Sequence, residues 1–215
     1  MKLALLIITS VTLLAFALFY FTTDRSLNEP ANMPWHITVH DSNHSEVFGI
    51  VLNKTTLEQA RVIFGQLDGL ALFQNEQDVY SLEAYFGKVT IGPFSARIIA
   101  NLDVSQQELE SLTEHTIKRI ITDNGSQRWT LKADKQVEQG ARIISSLSYI
   151  PAYSGMDQDF IKERFGEPDS RSVVDETTQL WSYPEQGVRI MVDNDGKELF
   201  EYMAPSAFKT TVGDS

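Results

Sequence analysis

The sequence predicts an α+β fold: two units of short helices on antiparallel sheet, separated by a helical insertion and preceded by an N-terminal transmembrane helix. Three observations lead there. "KTTLEQARVIFGQLDG", Lys54 to Gly69, and "SGMDQDFIKERFGEPDS", Ser154 to Ser170, both read as a capped short helix ending in Phe-Gly and then a turn with Asp, in one register 101 positions apart. Strand-like runs follow each of them. Leu3 to Phe21, "LALLIITSVTLLAFALFYF", is nineteen residues without a charge.

The N-terminal segment is long enough to cross a hydrocarbon core of about 30 Å as a helix. Its rival is a cleaved signal peptide, with a shorter apolar stretch and a small-residue cleavage site. The single Ala-x-Ala, Ala15 to Ala17, lies inside the apolar run, which favours a retained anchor. Lys2 precedes the span while Asp24 and Arg25 nearly cancel after it, so the charge bias puts the bulk of the chain outside the cytoplasm. The expected location is the inner membrane, single-pass, with the bulk of the chain in the periplasm. The alternative is a secreted or periplasmic protein after signal cleavage.

Residues 1–23 are thus an anchor or signal, and 24–44 a linker and short strand. In "WHITVHDSNHSEVFG" Ile37 and Val39 share one strand side, His36, Thr38 and His40 the other, and Asp41-Ser42-Asn43 forms a turn. The first unit, 45–103, opens with Thr56 as N-cap and Gln59 completing a capping box, and Gly65 suits the C-cap. "LALF", "VYSLEAYF" and "VTIGPFSARIIANL" follow as strands.

In the helical insertion, 104–148, Leu109, Leu112, Ile117, Ile120 and Ile121 recur at helical spacing. Val137, Ala141 and Ile144 mark a second helix from Asp134 to Leu147. The second unit, 149–205, has Asp157 as cap of a helix ended by Gly166 and Pro168. "RSVV", "TQLWSY", "GVRIMV" and "KELFEYM" are its strands, and Asn194-Asp195-Gly196 marks a hairpin. Residues 206–215 form a tail. The 101-residue offset sets Thr56 on Asp157, Asp68 on Asp169 and Tyr80 on Trp181, which argues for duplication of one unit.

The second unit, from Gly155-Met156-Asp157 through Phe165-Gly-x-Pro168, Trp181-x-Tyr183 and Asp195-Gly196, resembles the SmpA/OmlA (BamE-like) family. A tandem pair of such units is similar to the architecture of the β-lactamase inhibitor protein. The resemblance covers about 55 residues well, Tyr149 to Met203, and the first unit poorly, since Asn53-Lys54 stands where the pattern has Gly. It implies helix pairs on antiparallel sheet and a role in binding another protein of the bacterial cell envelope. The family is lipid-anchored through cysteine, and this chain has none.

Composition excludes several other classes. The chain carries 18 basic against 29 acidic residues, net charge −11, which repels nucleic acid and anionic headgroups. Zero cysteines exclude a disulfide framework, a thiolate metal site and a cysteine nucleophile. His36, His40 and His44 recur every four residues, but four residues along a strand separate side chains by about 13 Å, too far to share an ion. His115 stands alone. Asp157, Asp159 and Glu163 crowd one helix start, where carboxylates answer the helix dipole and lack the opposed placement of a catalytic pair. Ser154-Gly155 lacks a nucleophile elbow, and no phosphate-cradling loop is present.

No catalytic, cofactor-binding or metal residues emerge, and the partner-binding residues stay open. Trp181, Tyr183, Phe64 and Phe165 read as core, while Trp129 in a polar stretch reads as an exposed aromatic at a partner site. The expectation is a membrane-anchored, extracytoplasmic, non-catalytic protein-interaction module without cofactor. An enzyme or small-ligand receptor with a site between the two units is the alternative, and an inhibitor of a secreted enzyme a third.

Overall fold

The structure, a computed structural model, describes residues 32–75, 77–121, 126–153 and 156–210. The expected span, 3–21, and the pair Ser154-Gly155 lie outside them. From Asn32 onward the described residues form one compact unit.

The architecture departs from the α+β expectation. It is mostly β, with a ten-stranded antiparallel sheet and five short helices, and among the described residues no helix is long and apolar enough to cross a membrane. A small three-stranded sheet comes first, from β1 (Thr38–Asp41), β2 (His44–Val47) and β3 (Ile50–Val51). All four residues of β1 are exposed, so Val39 is not turned into a core as its alternation suggests.

Helix α1 (Leu57–Phe64) follows, then β4 (Gly69–Gln74), β5 (Tyr80–Ile91) and β6 (Phe94–Leu102). Among its described residues the expected insertion has as helix only α2 (Gln106–Leu112), α3 (Ala133–Glu138) and two turns of 3-10 helix. The rest supplies β7 (Thr116–Ile121), β8 (Gln127–Leu131) and the start of β9 (Ile144–Pro151). Then come α4 (Gln158–Phe165), β10 (Ser170–Val173), β11 (Thr178–Tyr183), β12 (Val188–Asp193), β13 (Leu199–Met203) and α5 (Pro205–Thr210).

The helical reading of 104–148 fails for a physical reason. Leu109 and Leu112 do face the core from α2, but Ile117, Ile120 and Ile121 belong to a strand of mostly β-branched residues, Thr-Ile-Lys-Arg-Ile-Ile. Stiff branched side chains pack better on a pleated surface than on a helix. Val137 is 81% exposed, and Leu147, Tyr149 and Pro151 are buried at period two rather than 3.6.

In the large sheet the order is β10-β11-β12-β13-β9-β6-β5-β4-β8-β7. Its centre is the β9–β6 pair, Tyr149 opposite Ile98 and Leu147 opposite Ala100. The two halves of the chain therefore meet as hydrogen-bonded neighbours, and no cleft separates them there.

The two Phe-Gly segments do share local geometry. Thr56 and Asp157 both cap, accepting from the amides of Gln59 and Phe160. Gly65 and Gly166 both end their helix at positive φ, +94° and +85°, where a side chain would be strained. Asp68 N–H then donates to Tyr85 O at 2.7 Å, and Asp169 N–H to Ser182 O at 3.0 Å. Past that point the 101-residue register breaks, because the hairpin after Asp169 is shorter. Trp181 sits opposite Arg171, whereas the pair in that place after α1 is Leu70 and Ala84. Tyr80 and Trp181 are not counterparts.

One face of the sheet is the core. Phe64 packs edge-on to Phe86 at 5.1 Å, and Phe165 lies 5.8 Å from both Tyr183 and Phe200. Phe48, from the turn between β2 and β3, stacks on Tyr149 at 5.5 Å. A bulge in β5 keeps this alternation in phase: the register slips between Tyr85 and Lys88 at Gly87, whose φ is +64°. A Cβ there would also run into the Asp68 carboxylate.

Candidate functional site

Because strand side chains alternate, the residues between the core positions form a second face. Its main row is read directly from the pairing: Ser170, Ser182, Arg189, Glu201, Ser148, Ile99 and Tyr85 lie opposite one another, strand to strand. The next row joins Met203, Ser146, Asn101, Glu83, Ala71, Thr130 and Lys118. Apart from Ala71, these side chains are half-buried or exposed, in contrast to the core positions between them. The buried side chains of α1, α2 and α4 all join the core.

Toward β8 this open face carries its most distinctive chemistry. The Tyr85 hydroxyl donates to Glu83 Oε2 at 2.5 Å. Arg128, opposite Phe73, lays its guanidinium over the rings of Tyr85 and Phe73, 5.1 and 5.9 Å from the centroids. Burial raises Glu83 above the ordinary carboxylate range, against the Tyr85 hydroxyl, Ser81 and Arg128, which favour its charge. The Tyr85 phenol is raised in turn, by burial first and then by Glu83. Farther along, Arg189 pairs with Glu201 at 3.0 Å.

Aromatic rings and arginine are the residue types that concentrate energy at protein interfaces. Nothing in the sequence reading singled out Phe73, Glu83, Tyr85 or Arg128. The signal was there in "SLEAYF", where Ser81, Glu83 and Tyr85 alternate with Leu82, Ala84 and Phe86.

The residues weighed from sequence are scattered. His40 meets Glu46 at 3.0 Å and His44 meets Asp41 at 2.9 Å, separate pairs at the surface of the small sheet. His115 ends a 3-10 turn. Asp157 caps α4, as its position predicts. Among the described residues no group of three His, Asp or Glu side chains is placed to hold a metal ion.

Trp129 corrects the expectation of exposure. It is buried at 8%, with Tyr80 at 5.8 Å and Arg119 over its ring at 5.5 Å. Trp181 is fully buried, flanked by Lys162 and Arg171, and the Tyr183 hydroxyl donates to Gly166 O at 3.2 Å.

No protein-family model, curated protein or solved structure matches the chain. The resemblance to the SmpA/OmlA family therefore rests on its motif residues alone.

Proposed function

We propose that the chain is a non-catalytic protein-interaction module of the bacterial cell envelope that engages another envelope protein across the open face of its sheet. The observation that carries this reading is the second face itself, with Tyr85, Phe73 and Arg128 clustered on it. Ten strands about 4.8 Å apart, each about 20 Å long, present a surface on the order of 800 Å². That matches one partner's share of a standard protein–protein interface. The nineteen uncharged residues from Leu3 to Phe21 support anchoring in the inner membrane with the rest of the chain in the periplasm.

The test is co-purification after crosslinking in intact cells, read by mass spectrometry. A Tyr85→Ala/Arg128→Ala protein should capture at least about thirtyfold less partner, since one interface aromatic or arginine often contributes about 2 kcal/mol. Val62→Ala, on the exposed side of α1, should retain it. Equal capture by all three proteins would remove the open face from consideration.

A further inference from the structure

Two residues along β6 from Ile99, the open face continues into a row that joins Lys88, Arg97 and Ile150 across β5, β6 and β9. Phe200 pairs with Tyr149, which carries the row on to Leu199, and Met191 and Leu180 follow across β12 and β11. Ile150, Leu199, Met191 and Leu180 are all partly exposed. At the basic end of this row is a cavity of about 430 Å³. Lys88, Arg97 and Lys197 stand on its walls beside Ile150, Pro151 and Ala152, and no carboxylate lines it.

That wall runs against the composition of a chain with 29 acidic residues and a net charge of −11. Lys88 and Arg97 are direct cross-strand partners, and like charges placed opposite one another destabilise a sheet. Nothing inside the molecule offsets this. Among the described residues every other arginine meets a carboxylate, as Arg61, Arg142 and Arg189 do, or lies over an aromatic ring, as Arg119, Arg128 and Arg164 do. Arg97 has neither, and Lys88 has no ion pair. We propose that the cavity receives the carboxylate of an Asp or Glu side chain of the partner protein, whose neighbouring nonpolar side chains lie along Ile150, Leu199 and Met191. This assignment rests on the reading of the open face as the partner surface.

A guanidinium beside an ammonium suits carboxylate and phosphate alike. The apolar row separates them. A free phosphate would leave Ile150, Leu199 and Met191 in water, and an anionic lipid surface is repelled by the charge of the whole chain. One carboxylate set in a nonpolar segment matches both the cavity and the row.

The full-length protein, in detergent, is titrated with acetyl-Gly-Leu-Glu-Leu-Gly-amide, with the same peptide carrying Gln for Glu, and with inorganic phosphate, at matched ionic strength. Backbone amide shifts are read by NMR. The Glu peptide should give saturable shifts at 88, 97 and 150–152, and the Gln peptide should bind about tenfold more weakly, as loss of a charge-assisted bond requires. Arg97→Gln and Lys88→Gln should each weaken the Glu peptide by about fivefold or more, and Lys132→Gln should leave it unchanged. Neither Arg97→Gln nor Lys88→Gln should lower the urea midpoint, since each removes the like-charge pair. Equal binding of the two peptides, or tighter binding of phosphate than of the Glu peptide, would overturn the proposal. In intact cells a photoreactive phenylalanine analogue at Ile99 separates the two readings. A protein adduct that persists undiminished in Lys88→Gln/Arg97→Gln would overturn the carboxylate site and leave the open face standing. Absence of an adduct in the parent protein counts against the open face, and the partner assignment falls with it.

Discussion

Trp181 and Trp129 look alike in sequence terms only after the sheet is known. Trp181 alternates with Tyr183 beside a helix that ends in Phe165, so its burial follows from neighbours close in the chain. Trp129 sits among polar residues and is buried by Tyr80 and by pairing with Leu72, both distant in sequence. Removing either ring leaves a cavity, so in urea melts Trp181→Ala should cost about 3–5 kcal/mol and Trp129→Ala about 3 kcal/mol. A Trp129→Ala cost under about 0.5 kcal/mol would return that side chain to the surface.

Glu83 gives a pH signature at the same scale. Its pKa in the folded chain is raised by burial, so its contribution is fully present below the unfolded value of about 4.3 and lost as pH rises through the folded one. Glu83→Gln cannot ionise and escapes that loss. From about pH 4 to pH 7 its stability should therefore improve relative to the parent. A relative decline over that range would mean that Tyr85 and Arg128 outweigh the burial.

Among the elements, those set by local chemistry were legible. The caps at Thr56, Asp157, Gly65 and Gly166 follow from side-chain and backbone preferences of single residues, and the structure has all four. The four strands after α4 also lie where their turns place them. The stretch from 116 to 151 was not legible, because isoleucines three and four apart satisfy a helical template while their branching favours a strand. In β7 Ile117 and Ile121 are 68% and 67% exposed at the sheet edge. Ile117→Lys/Ile121→Lys should therefore shift stability by no more than about 0.5 kcal/mol per site. Were these residues the buried side of a helix, two lysines would unfold the chain, and a circular dichroism melt separates the cases.

At the scale of the molecule, sequence suggested two units, and their strands join in one ten-stranded sheet, because nothing local announces that β6 and β9 pair. With no native cysteine, Arg97→Cys/Ile150→Cys introduces a single possible bridge across that seam. Paired Cα atoms on antiparallel strands lie about 4.5–5.5 Å apart, within disulfide reach. Mild oxidation should close the bridge in the folded protein and not in urea. A bridge that forms only in urea would mean that the halves do not join there.

The whole sheet also divides the molecule into a face that builds the core and a face that carries Tyr85 and Arg128, the surface proposed to meet a partner. A photoreactive phenylalanine analogue placed at Ile99 in that row, and separately at Val62 on α1, tests this division in intact cells. The account predicts a discrete protein adduct from position 99 and none from position 62. An adduct from position 62 alone, or none from position 99 in a protein that is expressed and folded, would contradict it.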